Sequence, residues 1–74
     1  MAKLPAISGR HAIRAFGKIG FVFDRQHGSH VILRHVDPPN RRLVVPDHDE
    51  LAKGTLRRLI HDAGLTVEEF LALQ

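Results

Sequence analysis

The sequence predicts an α+β fold in which helices cover one face of a three-stranded antiparallel sheet. Apolar residues recur at three- and four-residue intervals before Gly20 and again after Pro46, a spacing typical of amphipathic helices. Between them lie three short segments rich in β-branched and apolar residues, separated by turn-forming residues. A chain of 74 residues without cysteine can bury one core between two packed layers. We therefore expect a single domain over residues 1–74, in the order helix, three strands, helix and short C-terminal helix.

The first helix is predicted to run from about Gly9 to Lys18. Ser8 can accept a hydrogen bond from the first turn, and Ile7 stands where a hydrophobic staple would pack. Gly20 follows the helix, and glycine ends helices at little cost because it readily adopts a left-handed backbone. The apolar face of this helix contains Ala12, Ile13, Ala15, Phe16 and Ile19.

Three strands are predicted after this helix. Side chains alternate between the two faces of a strand, so Phe21 and Phe23 should both point into the core. Short turns join the strands, which favours an antiparallel meander with one covered and one open face. The strands are expected at residues 21–25, 29–35 and 41–45, with turns at His27-Gly28 and at Asp37-Pro38-Pro39-Asn40.

Two further helices are predicted after the third strand. The first begins between Leu51 and Thr55, carries its apolar residues on one stripe and ends at Gly64. The second is short and begins at Thr66, which forms a capping box of the T-x-x-E type with Glu69. Both helices can pack back on the sheet face that the first helix covers.

Basic residues are concentrated in the first part of the chain. Residues 1–46 contain eight Lys or Arg and two Asp, whereas residues 47–74 contain three basic and six acidic residues. Such asymmetry is typical of a small protein with one face that binds a polyanion. A solvated basic surface without a ligand would have the same composition.

The composition also argues against several kinds of site and location. Without cysteine the chain has neither disulfides nor thiolate zinc ligands, and no two histidines lie four residues apart on a predicted helix, so no metal site or cofactor is expected. The first residues lack the apolar run of a signal peptide, and no stretch approaches the ~20 apolar residues that span a bilayer. We therefore expect a cytoplasmic protein that binds no membrane.

His30 is the best-placed candidate for catalysis. Alternation along the second strand puts His30, Ile32 and Arg34 on one face. We expect the histidine and the arginine to lie about two residues, roughly 7 Å, apart along the strand, a spacing that one phosphodiester could bridge. The opposite face should carry Ser29, Val31, Leu33 and His35.

Several short motifs together resemble those of a known family. They are Gly20-Phe21, Gly28-Ser29-His30, Val45-Pro46-Asp47-His48, Leu51-Ala52-Lys53-Gly54-Thr55-Leu56, Ala63-Gly64-Leu65-Thr66 and Glu69-Phe70-Leu71. On these motifs nearly the whole chain resembles the HicA family of small toxins, the mRNA-interferase half of a type II toxin–antitoxin pair. The resemblance implies a fold like a double-stranded-RNA-binding domain, catalysis by His30 after the Gly28-Ser29 pair, and a HicB-like antitoxin that covers the active face.

A histidine suits metal-independent cleavage of mRNA. Imidazole, with an ordinary pKa of about 6.5, can remove the proton of a ribose 2′-hydroxyl or donate one to the departing 5′-oxygen. One histidine without a paired acid and base predicts a slow ribonuclease that needs no cofactor. His48 and His27 are weaker candidates for a functional role, whereas His11, His35 and His61 are expected to be surface or boundary residues.

RNA contacts are expected mainly at phosphate and sugar, because four Phe without Tyr or Trp leave few rings on which bases could stack. Arg34 could hold the phosphate, together with Arg25 and Arg42 on neighbouring strands. Backbone amides around Lys53 lie near a helix N-terminus, where a phosphate could also bind. Direct binding of DNA by this chain alone is not expected. The candidate RNA-binding residues are Arg25, Gly28, Ser29, Arg34, Arg42 and Lys53.

Two other functions fit the same predicted fold. One is a non-catalytic RNA-binding module, which would be favoured if His30 were buried or held by an internal partner. The other is a protein-interaction domain that docks a partner on the open sheet face, which includes Ile32 and Val44. A nuclease assay of the wild-type protein beside a His30→Ala variant separates the ribonuclease from both.

Overall fold

The computed structural model describes residues 3–74, within which three helices pack on one antiparallel sheet. This arrangement confirms the predicted α+β fold, with the order of helix, three strands and helix found in double-stranded-RNA-binding domains. Residues 1 and 2 lie outside the described residues. They begin the N-terminal segment for which the sequence predicts no signal peptide. The elements are α1 (Gly9–Gly17), β1 (Phe21–His27), β2 (His30–His35), β3 (Arg42–Pro46), α2 (Lys53–Asp62) and α3 (Val67–Leu71).

The sheet has two different faces. Its strands lie in the order β1-β2-β3, and each neighbouring pair is antiparallel. Val31 and Leu33 on β2 are buried, as are their partners Val45 and Leu43 on β3. On the other face Val44 is 50% exposed. The helices therefore cover one face and leave the other open, as predicted.

Three phenylalanine rings connect α1 and α3 to the sheet. The ring of Phe16 on α1 lies edge-on to Phe21 on β1, with 6.0 Å between centroids, and 5.3 Å from the ring of Phe70 on α3. All three residues are buried. Such aromatic pairs contribute about 0.5–1.5 kcal/mol beyond the burial of their area. Phe70 thus anchors the five-residue helix α3 to the same core.

The prediction that Phe23 points into the core is wrong, because this residue is 62% exposed whereas Phe21 is buried. Phe23 pairs with the buried Leu33, but β1 is an edge strand with a neighbour on one side only. The register also shifts between Phe23 and Arg25. Alternation alone predicts the face of a side chain, whereas burial also requires another element above it.

Both predicted capping motifs are confirmed. The Ser8 Oγ accepts a hydrogen bond from the His11 N–H at 3.0 Å, so Ser8 caps α1. In the capping box of α3, the Glu69 N–H donates to Thr66 Oγ1 at 3.1 Å and the Thr66 N–H donates to Glu69 Oε1 at 2.8 Å. These bonds pair backbone donors that a helix start otherwise leaves without an intrahelical partner.

The first hairpin differs from its prediction by two residues in β1 and one in β2, so the predicted turn at His27-Gly28 is wrong by one position. This strand continues to His27 rather than ending at Arg25, and β2 begins at His30 rather than Ser29. The turn therefore consists of Gly28 and Ser29, and the histidines on either side of it are cross-strand partners.

Candidate active site

His30 is the first residue of β2 and follows a tight turn directly. Gly28 has a φ of +57°, and Ser29 has no positive φ, which is the pattern of a type II′ turn. The Gln26 side-chain amide donates a hydrogen bond to the Gly28 carbonyl at 2.9 Å, and the Asp47 N–H donates to the Ser29 carbonyl at 2.6 Å. These two hydrogen bonds stabilise the turn that directly precedes His30.

The His30 side chain is exposed on the open face of the sheet. Among residues 3–74, the imidazoles with hydrogen-bond or ion-pair partners are those of His35 and His61 rather than that of His30. An exposed ring without an internal partner can exchange protons with a bound ligand. The condition that would favour a non-catalytic module, a buried or internally held His30, is therefore not met.

Strand register arranges the open face in three cross-strand rows, because paired residues lie on the same face. His30 lies in the row nearest the turn, and two rows with arginines follow it. The rows are His27, His30 and Pro46, then Arg25, Ile32 and Val44, then Val22, Arg34 and Arg42.

The predicted spacing of roughly 7 Å between His30 and Arg34 is wrong. They are four positions apart along β2, which corresponds to about 13 Å at ~3.3 Å per residue. Arg25 is the nearer arginine along the sheet, since it pairs with Ile32 and is thus the diagonal neighbour of His30. Diagonal neighbours have Cα atoms about 7–8 Å apart. The register shift between Phe23 and Arg25 produces this placement, and no sequence pattern indicated it.

Arg34 and Arg42 form a pair of like charges farther along the face. They are direct cross-strand partners, and no Asp or Glu among residues 3–74 forms an ion pair with either. Like charges directly opposite each other destabilise a sheet. An anion between the two guanidinium groups would remove that repulsion, so this row can hold a phosphate.

Lys53 is the first residue of α2. The next two residues, Gly54 and Thr55, line a groove together with Arg42 and Val44 of β3. Ala52 precedes α2 and provides no side-chain cap. The structure therefore brings this helix start next to the β3 ends of the second and third rows rather than to the row of His30.

The segment after β3 is tied to α1 by contacts that the sequence did not predict. The Gly9 N–H donates to the His48 carbonyl at 2.9 Å, and Arg10 Nε lies 3.2 Å from Asp47 Oδ1. The hydrogen bond to Asp47, followed by its negative charge, raises the pKa of Arg10. A Cβ on Gly9 would overlap the carbonyl oxygen of Pro46, the partner of His30 in β3. The one sequence feature that could have indicated this close contact is the glycine at the first position of the helix, where other residues are better helix formers.

The remaining histidines have other positions. His35 is half-buried, with Nε2 2.7 Å from the Ile19 carbonyl, and its Nδ1 accepts a hydrogen bond from the Asp37 N–H at 3.1 Å. Its ring lies edge-on to Phe21 at 4.8 Å. His35 is thus the boundary residue that was predicted. His48 is exposed, two residues beyond the partner of His30.

Comparison with protein-family models matches residues 9–65 to the HicA toxin of bacterial toxin–antitoxin systems. The chain belongs to the HicA toxin family. A comparison with curated proteins gave no match. The matched range of this HicA toxin runs from the start of α1 to just beyond α2 and contains all three rows of the open face. The family places the chain among the toxins of toxin–antitoxin systems, which act with an antitoxin partner.

Two kinds of feature are absent from residues 3–74 of this HicA-family chain. No helix in that range is long and apolar enough to cross a bilayer. In the same range, no three His, Asp or Glu side chains lie close enough together to hold a metal ion.

Proposed function

We propose that this HicA-family toxin is a metal-independent endoribonuclease that cleaves mRNA with His30 and is neutralised by a HicB-like antitoxin. The observation that carries the proposal is an exposed imidazole with no hydrogen-bond partner among residues 3–74, on a sheet face that also bears three arginines. Its mRNA substrate implies that the toxin acts in the cytoplasm.

The chemistry requires a proton transfer at the ribose or at the leaving group. The 2′-oxygen attacks phosphorus while its proton passes to a base, the bond from phosphorus to the 5′-oxygen breaks, and that oxygen takes up a proton. The products are a 2′,3′-cyclic phosphate and a 5′-hydroxyl. The His30 imidazole can perform either transfer, which typically accelerates a reaction about 100- to 10,000-fold.

The arginines would hold the RNA strand by its phosphates. Arg25 is close enough to His30 to contact the reacting phosphate, and charge on that phosphate increases in the transition state. Arg34 and Arg42, in the third row, would bind a neighbouring phosphate. Contacts to phosphate carry little sequence information, so we propose broad cleavage of messages rather than recognition of one sequence.

We expect Arg25 and Arg34 to affect catalysis differently. An Arg25→Ala variant should lose about 10- to 100-fold in kcat, because a hydrogen bond from a charged group contributes about 1.5–3 kcal/mol. An Arg34→Ala variant should mainly raise KM. Steady-state kinetics on one RNA oligonucleotide measure both, with Arg57→Ala on the exposed surface of α2 as the control. Equal losses of kcat in the Arg25→Ala and Arg34→Ala variants would contradict the proposal that Arg25 contacts the reacting phosphate and Arg34 a neighbouring one.

The same face offers apolar area for an antitoxin. Val22 and Val44 are 39% and 50% exposed and lie among the arginines. A protein that covers them would also block His30. This apolar area equally supports the alternative of a protein-interaction domain without catalysis, and the nuclease activity decides between the two.

Induced expression in a bacterial host tests the proposal. We expect growth arrest with loss of full-length mRNA, and recovery when the reading frame adjacent to the natural gene is expressed as well. A His30→Ala variant made at the same level should leave mRNA intact. Growth arrest with intact mRNA would contradict a ribonuclease and support a protein-interaction domain instead.

A further inference from the structure

A second histidine lies beside His30 on the open face. His27 ends β1, His30 begins β2, and the two residues are direct cross-strand partners on either side of the turn. Both side chains are exposed. Directly opposed residues on one face have Cβ atoms about 4.5–5.5 Å apart. One phosphodiester can therefore contact both imidazole rings at once.

We propose that His27 is a second catalytic residue, so that one of the two imidazoles acts as general base and the other as general acid. This inference rests on the proposed ribonuclease activity and extends it from one histidine to a pair. It replaces the expectation of an enzyme without a paired acid and base.

Cleavage by the 2′-hydroxyl needs a proton removed at one oxygen and a proton delivered at another. The entering 2′-oxygen and the departing 5′-oxygen lie on opposite sides of phosphorus, so a single ring cannot contact both in their reacting positions. The base takes the 2′-hydroxyl proton as the new P–O bond forms. The acid gives its proton to the 5′-oxygen as the old P–O bond breaks. Each ring ends in the other's starting state, and exchange with water restores both.

The residues around His27 and His30 are compatible with one ring acting as base and the other as acid. Arg25 is the charged group beside the pair on β1 and can contact the phosphate between them. The Asp47 carboxylate after β3 is bound by Arg10 of α1. His48 is exposed beyond Pro46, as are Asp49 and Glu50.

The hairpin fixes the separation of the two backbone positions from which the rings extend. The two-residue turn, held through the Gly28 and Ser29 carbonyls by Gln26 and Asp47, sets the positions of the flanking backbones. Catalytic groups held in their reacting geometry before the substrate binds lower the entropic part of the barrier.

The test compares His27→Gln, His30→Gln and a matched control, His61→Gln, which alters an exposed histidine on α2. Each protein is given an RNA oligonucleotide, and the same oligonucleotide with sulfur replacing the 5′-oxygen at the cleaved linkage. A thiolate leaves without a proton, so this substrate needs no general acid. Rates are measured as a function of pH, and circular dichroism verifies folding.

We expect His27→Gln to lower kcat about 100-fold with little change in KM, and to remove one limb of a bell-shaped pH profile. The sulfur substrate should restore the rate of whichever variant lacks the acid, and only that one. His61→Gln should behave as the wild type.

Cleavage by His27→Gln at the wild-type rate with an unchanged pH profile would overturn the pair and leave His30 as the only catalytic histidine. Rescue of neither variant by the sulfur substrate would also overturn it. Absence of cleavage by the wild type, or full activity of His30→Gln, would instead contradict the proposed ribonuclease. The two failures are therefore distinguishable.

Discussion

Replacing His30 with alanine is expected to lower the rate of RNA cleavage about 100- to 10,000-fold, because the variant loses the group that we propose transfers a proton in the transition state. The free energy of unfolding should hardly change, since the side chain is exposed and contributes no hydrogen bond within residues 3–74. Single-turnover kinetics on a defined RNA measure the first quantity, and thermal unfolding measures the second.

The matched control is His61→Ala, which removes an imidazole that is 87% exposed on α2. This variant should cleave RNA at the wild-type rate. A folded His30→Ala protein with undiminished cleavage would exclude His30 from catalysis. Loss of activity in both variants would point to a general effect of removing charge or imidazole rather than to a site at His30.

Gly9→Ala is expected to destabilise the protein by about 1–3 kcal/mol, the usual cost of forcing extra atoms into a packed position. The new Cβ would overlap the Pro46 carbonyl oxygen, so α1 and the end of β3 must separate. That movement also strains the hydrogen bond from the Gly9 N–H to the His48 carbonyl. In a domain of this size each 1 kcal/mol lowers Tm by about 4–8 °C, which thermal unfolding resolves easily.

Gly17→Ala is the matched control for this prediction, because Gly17 ends the same helix and a Cβ there meets nothing within 4 Å. Alanine is the better helix former by roughly 0.5–1 kcal/mol, so this variant should be as stable as the wild type or slightly more stable. If the two substitutions changed Tm equally, the close approach of α1 to β3 would not be a determinant of stability.

The sequence predicted those features of the fold that depend on neighbouring residues. The caps at Ser8 and Thr66 follow from short motifs whose partners lie three residues away. The order of the elements follows from apolar periodicity and turn residues. The start of α2 could be predicted only to within several residues, since Ala52 offers no capping side chain.

The features that sequence reasoning missed depend on residues distant along the chain. Phe23 is exposed because of the place of its strand in the sheet, and Arg25 lies near His30 because of a register shift. The contact between Gly9 and Pro46 joins two residues that are 37 positions apart along the chain. Within the candidate site, the sequence could propose His30 and the arginines, but it could not indicate which arginine lies nearest to His30.

The most direct test of a metal-independent ribonuclease is cleavage, in the presence of EDTA, of an RNA oligonucleotide and of the same molecule lacking the 2′-hydroxyl at the cleaved linkage. We expect the intact linkage to be cut, with 2′,3′-cyclic phosphate and 5′-hydroxyl ends, and the altered linkage to survive. Cleavage of the altered linkage, 5′-phosphate ends, or loss of all activity in EDTA would contradict the proposed mechanism.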